Sequence, residues 1–431
     1  MCGVALKEER KTTMATAFKA ADILLPKNID MNKWAVVACD QYTGQPEYWK
    51  RVEDYIKDAK STLSLILPEV YLEEKDISER IEKIHENMKN ALSEGIFEEY
   101  KSSLIYVERT QSDGKVRQGI VGVIDLEEYD YRKGSTSSVR ATEATVVERI
   151  PPRVKIRTGA ELELPHIMIL IDDEDKTVVE PCETAEKTAV YDFDLMEKGG
   201  HIKGYVLGEK AKAGVFSALD KLNDNKAFNE KYGISGYPTL LFAMGDGNHS
   251  LATAKEYYER LKAANPDKDL SCHPARYALA EIVNLHSPAL QFEAIYRIVT
   301  GVDTNKLMAE MKEKLSLSDT SSEQSFTAIC NGKETKYYIG KPTSQLSVGS
   351  LQDFLDGYIE RNGGKIDYIH GKDVVRQLAA QDNSIGFILD DMKKSELFPT
   401  VIKDGALPRK TFSMGHAEDK RFYVECRKIS E

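Results

Sequence analysis

No two cysteines in this sequence are spaced as a CxxC pair. The six (Cys2, Cys39, Cys182, Cys272, Cys330 and Cys426) are scattered singly, the usage of a reducing compartment and not of a disulfide framework or a zinc site. No pair of histidines has HExxH spacing, which argues against a permanent zinc centre. Long apolar runs are missing too. Stretches such as Ile167-Met168-Ile169-Leu170-Ile171 have the length of a strand and fall far short of a membrane span. Met1 to Thr13 lacks the apolar stretch of a signal peptide. It is expected to be a disordered extension, with Met14 an alternative start, and the expected location is the cytoplasm. Basic residues do not dominate: 59 Lys and Arg stand against 70 Asp and Glu, a net charge of −11. Such a balance repels a polyphosphate backbone, so neither nucleic acid nor membrane is an expected partner. Neither GxxxxGK[ST] nor a post-strand GxGxxG occurs, which excludes the standard phosphate loops.

What is present is a patterned chain of 431 residues, too long for one ordinary core. Helices and strands alternate throughout, so the expected class is α/β (α+β), with mixed sheets and flanking helices. Three subdomains are expected: 14–135, a central one at 136–300 and a C-terminal one at 301–431. In the first, Trp34–Cys39 reads as an extended run, a helix starts near Glu47, and Asp76–Glu98 reads as a second helix. In the second, Ala141–Ile150 reads as a helix capped by Ser138 and stopped by Pro151-Pro152. Glu209–Leu222 is helical by pattern, and His166–Asp172 and Tyr277–Leu285 read as strands. The third mixes strands (Phe326–Cys330, Thr335–Ile339, Ile385–Leu389) with helices such as Lys372–Ala380.

The most informative segment is Leu240-Leu241-Phe242-Ala243-Met244-Gly245-Asp246-Gly247-Asn248-His249-Ser250-Leu251. Its apolar start predicts a buried strand, and Gly245 and Gly247 allow a tight turn with exposed backbone. Leu251, Ala254, Tyr258 and Leu261 at helical spacing predict a helix leaving it. The amides and dipole of such a helix start suit a phosphate or carboxylate. Asp246 offers a carboxylate to Mg²⁺ or to a substrate proton. His249 offers a donor to a phosphoryl oxygen or a proton carrier. The plainer alternative is a strand–turn–helix in which Asp246 or Asn248 only caps.

Three further polar clusters stand out. Arg140 and Glu143 lie at i, i+3 of the expected helix, followed by Arg149, Arg153, Lys155 and Arg157; a carboxylate among cations suits a general base, and a surface salt-bridge helix is the alternative. The loop Asp40-Gln41-Tyr42-Thr43, flanked by Trp34 and Trp49, offers an aromatic wall with Asp40, Gln41 and Thr43 to orient a polar ligand, or else a hydrophobic staple. Cys39 has no evident cationic partner to make it a nucleophile. Leu407–His416 sets Arg409, Lys410, Thr411, Ser413 and His416 within ten residues, an anion-binding composition or a solvated basic loop. The single histidines His286 and His370 read as structural.

Taken together, Trp34–Trp49, Arg140–Arg157, Gly245–Lys255, Ile366–Gly371 and Leu407–His416 resemble the domain of unknown function 1015 family of bacteria and archaea, over nearly the whole chain from Ala17 to Arg427. The resemblance implies a ParB/sulfiredoxin-like core elaborated by N- and C-terminal additions. It also implies a relation to free L-serine kinases, which phosphorylate the amino-acid hydroxyl from ATP, ADP or pyrophosphate. A glutamate upstream of an Asp-Gly-x-His turn is the base in those kinases, and Glu143 is the matching position here. Ser250 stands where they carry an arginine, so Arg140, Arg149, Arg153 or Lys410 is expected to supply the charge. The expected catalytic set is Glu143, Asp246 and His249. Asp40, Gln41, Thr43, Arg140, Arg149, Arg153, Gly245, Gly247, Asn248, Ser250, Lys410, Ser413 and His416 are the expected substrate and phosphate ligands. Mg²⁺ on Asp246 is the expected cofactor, and a homodimer the expected assembly. The alternatives are a ParB-like nucleotide-binding regulatory protein and a metal-dependent phosphatase.

Overall fold

The computed structural model describes residues 16–72, 74, 76–143, 145, 150–330 and 332–431. The described chain is mixed α/β, with eleven α-helices among these residues. It divides into two compact units. One comprises the described parts of 1–141, 145–290 and 416–431, and the other those of 142–144 and 291–415. The expected extension at residues 1–13 lies outside the described residues. No helix among them is long and apolar enough to cross a membrane.

The first unit is built on a ten-stranded mixed sheet. Its order is Lys187–Asp194, His201–Leu207, Ile105–Thr110, Val116–Asp125, Tyr277–Asn284, Met168–Ile171, Phe242–Asp246, Val139–Arg140 and Tyr129–Asp130, with Phe18–Lys19 paired to Val116–Asp125 off this path. Met-Ile-Leu-Ile at 168–171 is buried at every position. That suits a central strand covered on both faces, where an uninterrupted apolar run replaces alternation. It pairs parallel with Tyr277–Asn284 and antiparallel with Phe242–Asp246.

Two helical expectations are corrected. The helix expected over Asp76–Glu98 ends at Ser93, because Gly95 turns the chain at φ +65° and releases Phe97–Ser103 as a strand. Pro151 and Pro152 stand inside a helix, Ile150–Arg157, near its start, where no proline N–H is needed; residues 144 and 146–149 of the helix expected before them lie outside the described residues. Arg140 is in a strand and not on a helix face with Glu143; Arg149 lies outside the described residues. Trp34–Cys39 makes only a single bridge, Val37 to Phe422, although Trp34 to Ala38 are buried.

The second unit carries a five-stranded antiparallel sheet ordered Lys333–Tyr338, Ser325–Cys330, Ser384–Ile388, Tyr296–Thr300 and Lys365–Ile369. Helices Thr304–Lys314, Ser347–Asn362, Lys372–Ala379 and Lys394–Asp404 accompany it. Phe292–Ala294 and Phe412–Met414 form a separate ribbon.

Candidate active site

In the first unit, Phe242–Asp246 enters the turn and Asn248–Ala264 leaves it as a helix of 17 residues. The register against Met168–Ile171 shifts between Met244 and Asp246, so Gly245 sits in an irregularity that re-aims the carboxylate after it. Gly247 takes φ +78° as N-cap, and no side chain caps the helix. Leu251, Ala252, Ala254 and Tyr258 bury the inner face and hold the turn in place. A methyl group at Gly247 would stand 3.1 Å from Ile167 Cα, on top of the left-handed backbone. Gly247→Ala is therefore expected to lower stability by about 1–2 kcal/mol, read as a lower urea midpoint; an unchanged midpoint would show the turn to be pliable.

Asp246 Oδ1 accepts the Gly247 N–H at 2.9 Å, and Oδ2 lies 3.3 Å from Lys420 Nζ. Burial pushes this carboxyl up, but the Lys420 ammonium, with the Gly247 N–H, outweighs it and holds it below the usual carboxylate range. Lys420 arrives on the C-terminal segment, which runs beside residues 34–39: Ala38 N–H donates to Arg421 O at 2.9 Å, Tyr423 N–H to Val36 O at 2.8 Å, and Trp34 Nε1–H to Val424 O at 2.9 Å. On the other side of the turn, Ser250 Oγ is 2.7 Å from His166 Nε2, and His166 Nδ1 is 2.8 Å from the Tyr423 hydroxyl. Tyr423 accepts the Cys39 N–H at 3.1 Å, Cys39 O accepts from Glu69 N–H at 2.8 Å, and Glu69 pairs with Arg153, whose Nε is 2.9 Å away. Gln41 Nε2 donates to Asp40 Oδ1 at 3.0 Å, while Thr43 is exposed in the same loop. Burial pushes the Cys39 thiol well up, with Asp40 and Glu69 adding to the effect, so it is no thiolate nucleophile.

This unit thus gathers Asp246, Asn248, His249 and Ser250 with Lys420 and His166, and ties the Cys39–Gln41 loop and Arg153 to them. Arg140 is engaged elsewhere. Its Nε donates to Ser137 O at 2.7 Å and its Nη2 to Pro238 O at 2.9 Å, and burial lowers it to about 10. His416 is exposed, as the N-cap of the short turn Ala417–Asp419.

Three side chains of this cluster, His166, Lys420 and Tyr423, escaped the sequence reading. The only hint at His166 is a polar residue after Pro165 directly before a buried strand. Lys420 and Tyr423 lie in a segment without any motif, and only the pairing of 421–424 with 34–38 brings them in.

The second unit holds the remaining expected residues. Glu143 bridges Leu407 in parallel, and Leu407 N–H donates to Thr142 O at 2.6 Å. Arg297 is wholly buried; burial lowers it to about 10, against a lesser opposing pull that includes the Glu143 charge. Its Nη2 donates to Arg409 O at 2.9 Å and its Nε to Gln352 Oε1 at 3.1 Å. The Tyr368 ring lies 5.3 Å from the Arg297 guanidinium and 5.9 Å from that of Arg409. Tyr368 and Arg409, from two separate motifs, therefore meet at one buried arginine, which also feels the Glu143 charge. Lys410 is exposed at φ +54°, and Ser413 Oγ donates to Gly415 O at 3.2 Å.

Two other features of the first unit hold no reactive arrangement. A recess of about 320 Å³ lies at the far end of helix 248–264, lined by Tyr258, Lys262, Asn265 and Arg276 among others. Two of its cations are already paired, Lys262 with Glu127 and Glu259 at 2.9 Å each and Arg276 with Asp125 at 2.7 Å. Asp172, Glu174 and His286 place ligand atoms within 4.8 Å of one another. Lys231 already serves that cluster, 3.1 Å from Asp172 and 3.4 Å from Glu174, and an ammonium there takes the place a cation would fill.

Residues 21–358 match the model of the family described as "Protein of unknown function (DUF1015)". No curated protein matches the chain. Among solved structures, a free serine kinase in complex with AMP is similar at 14% identity and a TM-score of 0.38, over 73% of this chain and 93% of that one. A conserved hypothetical protein from Pyrococcus furiosus is similar at 12% identity and a TM-score of 0.35, over 73% and 96%. SbnI from Staphylococcus aureus, with a C-terminal truncation, is similar at 10% identity and a TM-score of 0.35, over 70% and 82%. Likeness at this level carries no argument about activity.

Proposed function

The chain belongs to the DUF1015 family of proteins of unknown function, and we propose that it is a cytoplasmic small-molecule phosphotransferase, in its most specific form a free L-serine kinase. The observation that carries this reading is the start of helix 248–264. It has no side-chain cap, and a carboxylate and an ammonium stand 3.3 Å apart beside it. The amides and dipole of a helix start favour an anion there, and Lys420 adds a fixed positive charge. Phosphoryl transfer needs mainly such positioned charge, because the transferring group carries negative charge through the transition state.

Mg²⁺ would find here one half-buried carboxylate, Asp246, which already has the Lys420 ammonium at 3.3 Å, so the donor phosphates and water would hold most of the shell of an ion that keeps much of its water. When bound, the ion would neutralise charge on the phosphates. In the proposed reaction the substrate hydroxyl oxygen forms the new P–O bond, the donor P–O bond breaks, and the hydroxyl proton passes to the Glu143 carboxylate. His249 donates to the moving phosphoryl group. Lys410, Arg149 and Arg153 offset the remaining charge.

The test is a screen of ATP, ADP and pyrophosphate with hydroxy-amino acids and Mg²⁺, followed by ³¹P spectroscopy. Phosphoserine formation is expected. Release of phosphate from phosphoserine with no acceptor would replace the kinase with a phosphatase, and inertness toward every donor would end the reading. Lys420→Met is expected to weaken inorganic phosphate binding about tenfold, the value of one charge-assisted contact, measured by calorimetry. Equal affinity would place the anion elsewhere.

A further inference from the structure

The row Cys39–Tyr423–His166–Ser250 has a direction, and counting protons reveals it. The Cys39 N–H can only donate, so it occupies an acceptor position on the Tyr423 oxygen. That phenol has one proton of its own, Tyr423 is 2% exposed, and of the two acceptors in reach, His166 Nδ1 at 2.8 Å and the Cys39 sulfur, the nitrogen is much the stronger. Burial first, and the Cys39 thiol next, push the phenol well above its ordinary value, so it keeps that proton. A neutral imidazole that accepts at Nδ1 carries its proton on Nε2. His166 Nε2–H therefore donates to Ser250 Oγ at 2.7 Å, and the Ser250 proton is turned away from His166. Ser250 itself is half-buried.

We propose that Tyr423 and His166 are positioning residues that hold Ser250 as a hydrogen-bond donor to an acceptor-only ligand group, a phosphate oxygen at the site described above. This assignment rests on the anion-binding part of the phosphotransferase reading. The reverse direction would make Ser250 a nucleophile with His166 as its base and Tyr423 as the orienting group. It would leave the buried phenol proton only the Cys39 sulfur, a weak acceptor, in place of a nitrogen lone pair. A donor held in this way needs no reorganisation when a phosphate docks, since its oxygen already receives a bond from behind.

Imidazole ¹⁵N spectroscopy of the labelled full-length protein tests the direction, with His166→Gln identifying the signal. His166 is expected as the Nε2–H form, and Tyr423→Phe is expected to release the preference and give both tautomers. In calorimetry with inorganic phosphate, Ser250→Ala is expected to bind about tenfold more weakly, and Ser250→Thr to recover most of that loss. An Nδ1–H form or an even mixture in the unmodified protein would overturn the assignment. So would Ser250→Ala binding phosphate as tightly as the parent, or a parent that binds none. Neither readout needs turnover. A protein that passes both yet transfers no phosphoryl group keeps the assignment and loses the kinase reading. One that transfers phosphoryl groups with His166 in the Nδ1–H form loses only the assignment.

Discussion

Glu143→Gln is expected to lower kcat for phosphoserine formation about 10³-fold while leaving the affinity for the phosphate donor within about twofold. The change keeps the shape of the side chain and removes only its ability to take a proton, and a positioned general base contributes on the order of 10²–10⁴ in rate. The bridge to Leu407 runs through the backbone and survives the change. Arg297, wholly buried, loses one of several opposing charges that it feels, so a stability measurement belongs with the kinetics. Steady-state assays with ³¹P detection and donor titration separate the two effects. Turnover by the Glu143→Gln variant at the parent rate would remove Glu143 from the chemistry, and a loss of donor affinity equal to the loss of rate would make it a binding group.

Arg421→Met is expected to produce the largest loss of stability, about 3–5 kcal/mol in the first unit, because it leaves buried carboxylates uncompensated. The Arg421 guanidinium is 2% exposed. It pairs with Glu281 and, at 2.6 Å, with Glu425, which also accepts from the Tyr191 hydroxyl at 2.6 Å; a third donor, Nε, reaches Pro165 O at 3.2 Å. A side chain at Gly119 would collide with the Glu281 carboxylate, so glycine is needed to admit it. Burial pushes Glu281 up, but Arg421 and Arg117 outweigh it and hold the carboxyl below its ordinary 4.5. A carboxyl with a depressed value stabilises the fold above that ordinary value, and the contribution is lost as the pH falls through the lower, folded one. The parent should therefore lose stability below about pH 4.5, and the deficit of Arg421→Met should narrow over the same range as protonation discharges the stranded group. Denaturant midpoints from about pH 7 to about pH 3 test this. A deficit independent of pH would mean that packing, and not charge, dominates at this position. The Arg421 Nε bond to Pro165 O also places this network directly behind His166, so the variant is expected to disturb the Ser250 row as well.

Much of the architecture was legible in the sequence because the signal is local. Glu209–Leu222 and the helix after the glycine turn follow from 3.6-residue periodicity, and the uninterrupted apolar run at 168–171 follows from burial on both faces. The failures are equally physical. A Pro-Pro pair reads as a stop from local pattern, yet Pro151 and Pro152 stand inside the helix Ile150–Arg157. The spacing of Arg140 and Glu143 fits a helix face, yet Arg140 pairs into the sheet beside Phe242–Asp246, a long-range contact that no window of neighbours contains.

By itself the sequence determined that a strand, a tight glycine turn and a helix start stand in succession at 240–264, because apolar patterning and the left-handed turn at Gly247 are properties of neighbouring residues. Only the tertiary structure decided what faces that turn. Lys420 and Tyr423 lie far beyond it along the chain, in the last dozen residues, and His166 sits at the head of a different strand. Side-chain proximity at that separation is set by strand pairing and by the docking of the C-terminal segment on residues 34–38, and neither leaves a periodic mark in the order of residues.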